Sequence, residues 1–359
     1  MKLTYEELKL LNGDYGQDKQ EAMEFLIKYG KKAKAEKMLK VSNIKGKVGG
    51  FNCSSNINKK FKYSCTPYLI GRIPVYKEHC AWMNSSAVGF CNSVIGARTN
   101  TETIETIEAI SLVNRIPFYG LHIKENRYAT YEIDVDTNIN SNKEFGVLGY
   151  FIGNEVENEI PVIKGINSTL DLMKFKHINS AITFSGGIEL FHIVGKTPEA
   201  NTLKEALGNN KAKDIINFGN KEKKEFYDLL NTSKDEQIDL VVLGCPNVNL
   251  EEIWEIRNYL HDKVINSRIL LYIYLPRYIK YLADESGCTE VIEKAGGYFL
   301  VDNCPLYSVS KLTNIKVVAT NSSRQANYLS QFFNKQVWYG STKECIEAAI
   351  SGIWRGEGI

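Results

Sequence analysis

No stretch of this 359-residue chain approaches the roughly 20 consecutive apolar residues that a bilayer crossing needs. An apolar leader is missing too. The opening MKLTYEELKLL reads as the start of an amphipathic helix, so a cytoplasmic location is expected. Neither sign of charge dominates: 44 Lys and Arg stand against 42 Asp and Glu, which gives no ground for nucleic acid or a membrane as partner. There is no CxxC pair, no zinc-finger spacing, no internal repeat and no low-complexity tract. The eight cysteines are scattered, which argues against a disulfide framework, and any metal they bind has to be assembled by the fold. What is present is an ordinary globular composition, 43% hydrophobic and 24% charged, in a length that suits two or three domains.

Residues 1–42 read as N-terminal helices. Thr4 followed by Glu7 has the form of a capping box, and Leu8, Leu11, Met23, Leu26 and Ile27 recur at helical spacing. Residues 43–200 read as an α/β domain. Within it, the glycines of 145–165 look like turns between elements, and Ser185-Gly186-Gly187 like a place where backbone approaches a ligand. Residues 201–236, polar and rich in Lys, Glu and Asn, read as a helical connector. Over 237–359, strands at 238–243, 268–275, 298–301, 315–319 and 337–339 alternate with helices at 249–261, 278–285, 324–333 and 342–350. That alternation predicts a doubly wound, Rossmann-like domain with a parallel sheet.

The segment from Tyr63 to Asn100 carries the densest set of small polar residues. Asn84, Ser85, Ser86, Asn92 and Ser93 alternate with Ala, Gly and Val and close on Arg98, Thr99 and Asn100. This pattern suits the floor of a polar pocket in which Arg98 grips a carboxylate or phosphate. A tightly packed buried helix is the other reading. Open α/β sheets bind ligands beyond the carboxyl ends of their strands. Three predicted strands there run into Cys245-Pro246-Asn247, Cys304-Pro305 and Asn321-Ser322-Ser323, the last opening a helix whose N-terminus favours an anion. With Cys65 these loops offer three thiols, the number an iron–sulfur Lewis-acid site needs if one position stays open. Buried structural thiols are the alternative. His122 and His192 are candidates for proton transfer or, equally, hydrogen-bonded structural residues.

Phrases in order along the chain resemble the large subunit of aconitase X, the family of cis-3-hydroxyproline and phosphomevalonate dehydratases. They are LTYEELKLLNGDYG, CTPYL at 65–69, SSAVGFCNSVIGARTN at 85–100, YGLHIKENR at 119–127, LFHIVGKTPEA at 190–200, GCPN at 244–247, DNCP at 302–305, TNSS at 320–323 and the closing YGSTKECIEAAISGIWRG. The resemblance implies an aconitase-like α/β fold of parallel doubly wound sheets. It implies an iron–sulfur cluster, [4Fe-4S] or [2Fe-2S], on Cys65, Cys245 and Cys304. The implied reaction is dehydration of a small β-hydroxy acid, of the cis-3-hydroxy-L-proline or 5-phosphomevalonate type, beside a separate small swivel-domain subunit. On this footing Ser85, Ser86, Arg98 and His192 are the expected catalytic groups. Asn84, Asn92, Ser93, Thr99, Asn100, Asn321, Ser322 and Ser323 are the expected substrate-binding groups. The chain also departs from the family pattern, with Asn84 in place of Glu, Thr101 of Arg and Asn247 of His. Its region before Cys65 is shorter, with Val48-Gly49-Gly50-Phe51-Asn52 a poor match to the family's Thr-Thr-Leu-Asn-Pro. These departures support an alternative: a diverged homologue that binds a cluster or small anion without dehydratase activity.

Overall fold

In the computed structural model the described residues are 1–45, 64–69, 71, 73–309 and 312–359; Cys53 and the 48–52 motif lie outside them. Helix α1 (Tyr5–Leu11) opens on the expected capping box. The Thr4 hydroxyl accepts from the Glu7 amide, and the Glu7 carboxylate accepts from the Thr4 amide. There follow α2 (Gln17–Lys32), β1 (Met38–Lys40), β2 (Asn43–Lys45), β3 (Cys80–Trp82), α3 (Ser85–Phe90), α4 (Ile104–Val113) and β4 (Arg115–Pro117). Helix α3 runs on into a π-helical turn, Cys91–Ile95. Met23, Leu26, Ile110 and Ile116 give this lobe its own small core.

The middle of the chain is β5 (Tyr131–Val135), α5 (Asn142–Val156), β6 (Pro161–Lys164), α6 (Leu172–Ser185), β7 (His192–Ile193), α7 (Leu203–Ala206), β8 (Asp214–Phe218) and α8 (Asn220–Leu230). Its strands form a parallel sheet in the order β7-β6-β5-β8. Two features differ from the sequence expectation. Most of 145–165 is the helix α5, and its glycines are contact points. A methyl group on Gly149 would lie 2.7 Å from Ala181 Cβ, and one on Gly153 would run into Ser185 and Gly186, so α5 and α6 meet almost backbone to backbone. Ser185 and Gly186 thus serve that helix contact. The stretch 201–236 holds strand β8 between its helices, and β8 pairs with β5.

The C-terminal part is β9 (Leu240–Leu243), α9 (Leu250–Leu260), β10 (Leu270–Leu275), α10 (Arg277–Glu285), α11 (Cys288–Lys294), β11 (Gly297–Val301), α12 (Pro305–Ser308), β12 (Val317–Thr320), α13 (Ser323–Phe333), β13 (Gln336–Tyr339) and α14 (Thr342–Ser351). Its sheet is parallel throughout, in the order β11-β10-β9-β12-β13, as a doubly wound domain requires. β9 and β12 are buried along their whole length, as strands covered on both faces are. Phe145, Phe151 and Ile178 share one core with Leu240, Val242, Val318 and Leu329, so α5, α6 and α13 form a layer between the two sheets. The winding reverses between β9 and β12, and in such folds the loops leaving the two strands diverge and open a crevice. Among the described residues no helix is long and apolar enough to cross a membrane.

Candidate functional site

Cys245 follows β9 through Gly244, whose φ of 101° belongs to the region that glycine alone occupies easily. Cys304 follows β11 and occupies the N-cap of α12, with Pro305 at its first position. Cys65 comes from the N-terminal lobe. The single turn after it, Pro67–Leu69, is pinned by Tyr68, whose ring stacks on Phe90 with centroids 3.7 Å apart. Cys65 reaches across to the loop after β9: its thiol donates to Asn247 Oδ1 and accepts from the Asn247 amide, both at 3.3 Å.

All three thiols are unpaired and partly buried. Burial raises the pKa of each, pushing Cys245 up to about 12, while the Arg324 guanidinium draws all three downward. Cys304 adds to the rise at both Cys65 and Cys245, so the three thiols lie within electrostatic reach of one another.

Arg324, in the first turn of α13, faces that crevice. Its Nη1 donates to Ser85 Oγ at 3.5 Å, and its guanidinium stacks 4.9 Å from the centre of the Phe184 ring. Ser322 caps α13 by accepting from the Gln325 amide at 3.1 Å and donates to the Cys245 carbonyl. Asn84 caps α3 by accepting from the Ala87 amide at 3.3 Å. Ser86 is buried and bound to Asn179, Asn321 donates to Thr342, and Ser323 hydrogen-bonds the Tyr339 hydroxyl. Beneath the crevice Lys176 is 1% exposed. It pairs with Glu252 and donates to the Asn247 carbonyl at 3.1 Å.

The remaining expected residues fall elsewhere. Asn92 spends both ends of its amide on the fold, donating to the Thr99 and Glu189 carbonyls and accepting from the Thr99 amide and Arg127. Ser93 accepts from the Phe191 amide, Thr99 from the Trp82 amide and Asn100 from the Leu121 amide. These groups join the π-helical turn to its surroundings and have little capacity left for a ligand. Arg98 and His192 line a separate cleft of about 520 Å³ with Lys124, Arg127 and Glu199. There Arg98 donates to the His122 carbonyl, and the His192 Nε2 binds the Arg127 carbonyl at 2.8 Å. Burial lowers the His192 pKa and keeps its ring neutral. Among the described residues no hydrogen bond or ion pair joins Arg98 or His192 to the thiols.

Two charged groups at the crevice escaped the sequence reading. Arg324 had a signal, since it directly follows Ser322 and Ser323, expected to bind an anion. Lys176 had none, because its partner Glu252 is 76 positions away.

The donor set fits an iron–sulfur cluster. Among the described residues no three His, Cys, Asp or Glu side chains stand close enough to share a single metal ion. A cluster is less demanding, because its several irons let the ligating cysteines stand farther apart than around a single ion. Two buried groups beside Cys65, the Tyr68 hydroxyl and Asn247 Nδ2, have no hydrogen-bond partner. The cations Arg324 and Lys176 suit the negative charge of a thiolate-bound cluster.

Two parallel doubly wound sheets, with cysteine-bearing loops at the carboxyl edge of the second, define an open-sheet α/β protein whose crevice lies where such folds bind their ligands. Residues 51–125, 129–228 and 238–351 match the first, second and third domains of aconitase X, and the chain belongs to that family. It is 33% identical to the phosphomevalonate dehydratase large subunit of Methanocaldococcus jannaschii over 97% of this chain and 100% of that protein. It is 29% identical to the cis-3-hydroxy-L-proline dehydratase of Hypocrea jecorina, over 81% of this chain and 50% of that protein. A crystal structure of Thermococcus kodakaraensis aconitase X in its holo-form superposes with a TM-score of 0.83 at 29% identity, covering 97% of this chain and all of the other.

Proposed function

We propose that this chain is the large subunit of an iron–sulfur hydro-lyase that dehydrates a small β-hydroxy acid together with a separate small swivel-domain subunit. The observation that supports the reading is the hydrogen-bonded contact of Cys65 with Asn247, two residues beyond Cys245, with Cys304 in electrostatic reach of both thiols. These three residues would hold the cluster, which supplies a Lewis acid for the departing hydroxyl. Arg324 and Ser85 stand where they can bind an anionic group of the substrate and hold it against the thiol loops. The free amides at the start of α13, behind Ser322 and Ser323, add donors to the same side. Lys176 and Glu252 remain buried beneath and keep the loop after β9 in place.

Of the two substrate types, 5-phosphomevalonate has the better support. The chain aligns over the whole length of an archaeal phosphomevalonate dehydratase large subunit, whereas it spans about half of the hydroxyproline enzyme. A second reading, cluster binding without dehydration, draws on Glu102 and Glu189. Glu102 is buried and Glu189 half-buried, and both lie beside Thr101, which stands where the family pattern has arginine.

The test is anaerobic cluster reconstitution, addition of the small subunit, and incubation with each acid in turn, followed by mass spectrometry. A product one water lighter from 5-phosphomevalonate is expected, with Arg324→Ala slowing its formation about 10²-fold or more, the scale of a lost oriented charge contact. A brown protein that changes neither acid would favour the second reading. A protein that takes up no iron would end both.

A further inference from the structure

Asn247 is 2% exposed and touches Cys65 twice, through its backbone amide and through Oδ1, each 3.3 Å from the sulfur. Its carbonyl is fixed from below by Lys176 at 3.1 Å. Lys176 is itself paired with Glu252, whose carboxylate also accepts from the Asn249 amide at 2.8 Å. The backbone at this position is therefore anchored. The side-chain amide is not saturated: Nδ2 is buried and has no partner. A stranded donor of this kind is a standing cost to the fold.

In this arrangement Oδ1 is bound by the Cys65 proton. A sulfur that ligates iron carries no proton and can only accept hydrogen bonds. Oδ1 would then face it lone pair to lone pair. The two ends of a carboxamide have the same shape, and a half-turn about the last side-chain bond exchanges them. We infer that Asn247 turns its amide when a cluster binds, so that Nδ2 donates to the Cys65 sulfur and sets the reduction potential and retention of the cluster. The inference rests on the cluster reading above. One rotation removes the repulsion and supplies the stranded donor with an acceptor, while Lys176 holds the pivot. Hydrogen bonds to cluster sulfurs favour the more reduced state, so this donor raises the potential.

The experiment uses the reconstituted full chain and three variants. Asn247→Leu keeps the shape without a donor, Asn247→Asp keeps it with acceptors only, and Asn247→His keeps a ring N–H. Midpoint potentials are read by spectroelectrochemistry, and cluster loss by bleaching under an iron chelator without oxygen. Leu and Asp are expected to move the midpoint to more negative values and to speed bleaching several-fold, with His closer to wild type. The cluster-free Asn247→Leu chain should melt no lower than wild type, because it lacks the stranded amide. Midpoints unchanged in both Leu and Asp, or His no closer to wild type than Leu, overturn the inference and leave the cluster intact. A wild-type chain that never gains colour overturns the cluster reading and this inference with it.

Discussion

Glu102 is 2% exposed, and one of its carboxylate oxygens is buried without a hydrogen-bond partner. Burial pushes its pKa up to about 7. The Glu189 carboxylate adds to the rise, and hydrogen bonds from Thr106 and Tyr119 oppose it. The folded chain therefore holds this proton more tightly than the unfolded chain does. Stability from this group is complete below the ordinary carboxylate range and is lost as pH rises through about 7. Glu102→Gln keeps a neutral side chain at every pH. Its melting temperature should exceed wild type at pH 8, and the gap should narrow toward zero at pH 4. An equal gap at both pH values would remove the titration as its cause. Single residues were unevenly legible in the sequence. The Cys-Pro pairs at strand ends were readable because strand, turn and thiol are neighbours in the chain. Glu102 and Lys176 were not, because their surroundings are built by residues up to 87 and 76 positions away.

At the scale of elements, the contact between α5 and α6 carries the most consequence, since α6 holds both Lys176 and Asn179 against the site. Gly146, Gly149 and Gly153 recur at helical spacing, so one face of α5 offers no side chain. A Cβ at Gly149 would sit 2.5 Å from the Ile178 carbonyl, which is backbone and cannot swing aside. Gly149→Val is expected to lower stability by about 1–3 kcal/mol or more, the range of core overpacking. Denaturant unfolding measures it. Gly71→Ala is the control, because no described residue lies within 4 Å of the added methyl, and it should leave the midpoint unchanged. A Gly149→Val midpoint matching the control would show that the helices can part freely. The same glycines explain why the sequence suggested turns here: a lone glycine is a breaker, and only its spacing marks a helix face. Strand β8 was hidden for another reason. It is an edge strand with Ile215 56% exposed, so it lacks the apolar run that made β9 and β12 readable.

Across the whole molecule, the two sheets repeat one plan. Renumbered within each unit, their strands run 3-2-1-4 and 3-2-1-4-5, and α5, α6 and α13 fill the space between. The sequence predicted the C-terminal sheet from its alternation of elements and only the presence of an α/β domain for the other. Strand β7, two residues long, is too short to leave a pattern. The crevice belongs to neither sheet alone: Cys65 is supplied by the N-terminal lobe, which has its own core. A cluster held by Cys65, Cys245 and Cys304 would tie that lobe to the C-terminal sheet, and only the folded chain brings the three thiols together. Binding to the folded state alone raises stability by mass action, so the loaded chain should melt above the cluster-free chain. The unfolding transition should also sharpen, as lobes that can open separately become one unit. Cys65→Ser tests the linkage most directly. Iron bound at Cys245 and Cys304 alone would stabilise the C-terminal sheet and leave the N-terminal lobe to melt as it does without the cluster. Hydrogen exchange over α2 and α4 reads this out. Protection there should rise on loading in wild type and stay flat in Cys65→Ser. Equal protection in the two proteins would mean that Cys65 does not ligate the cluster.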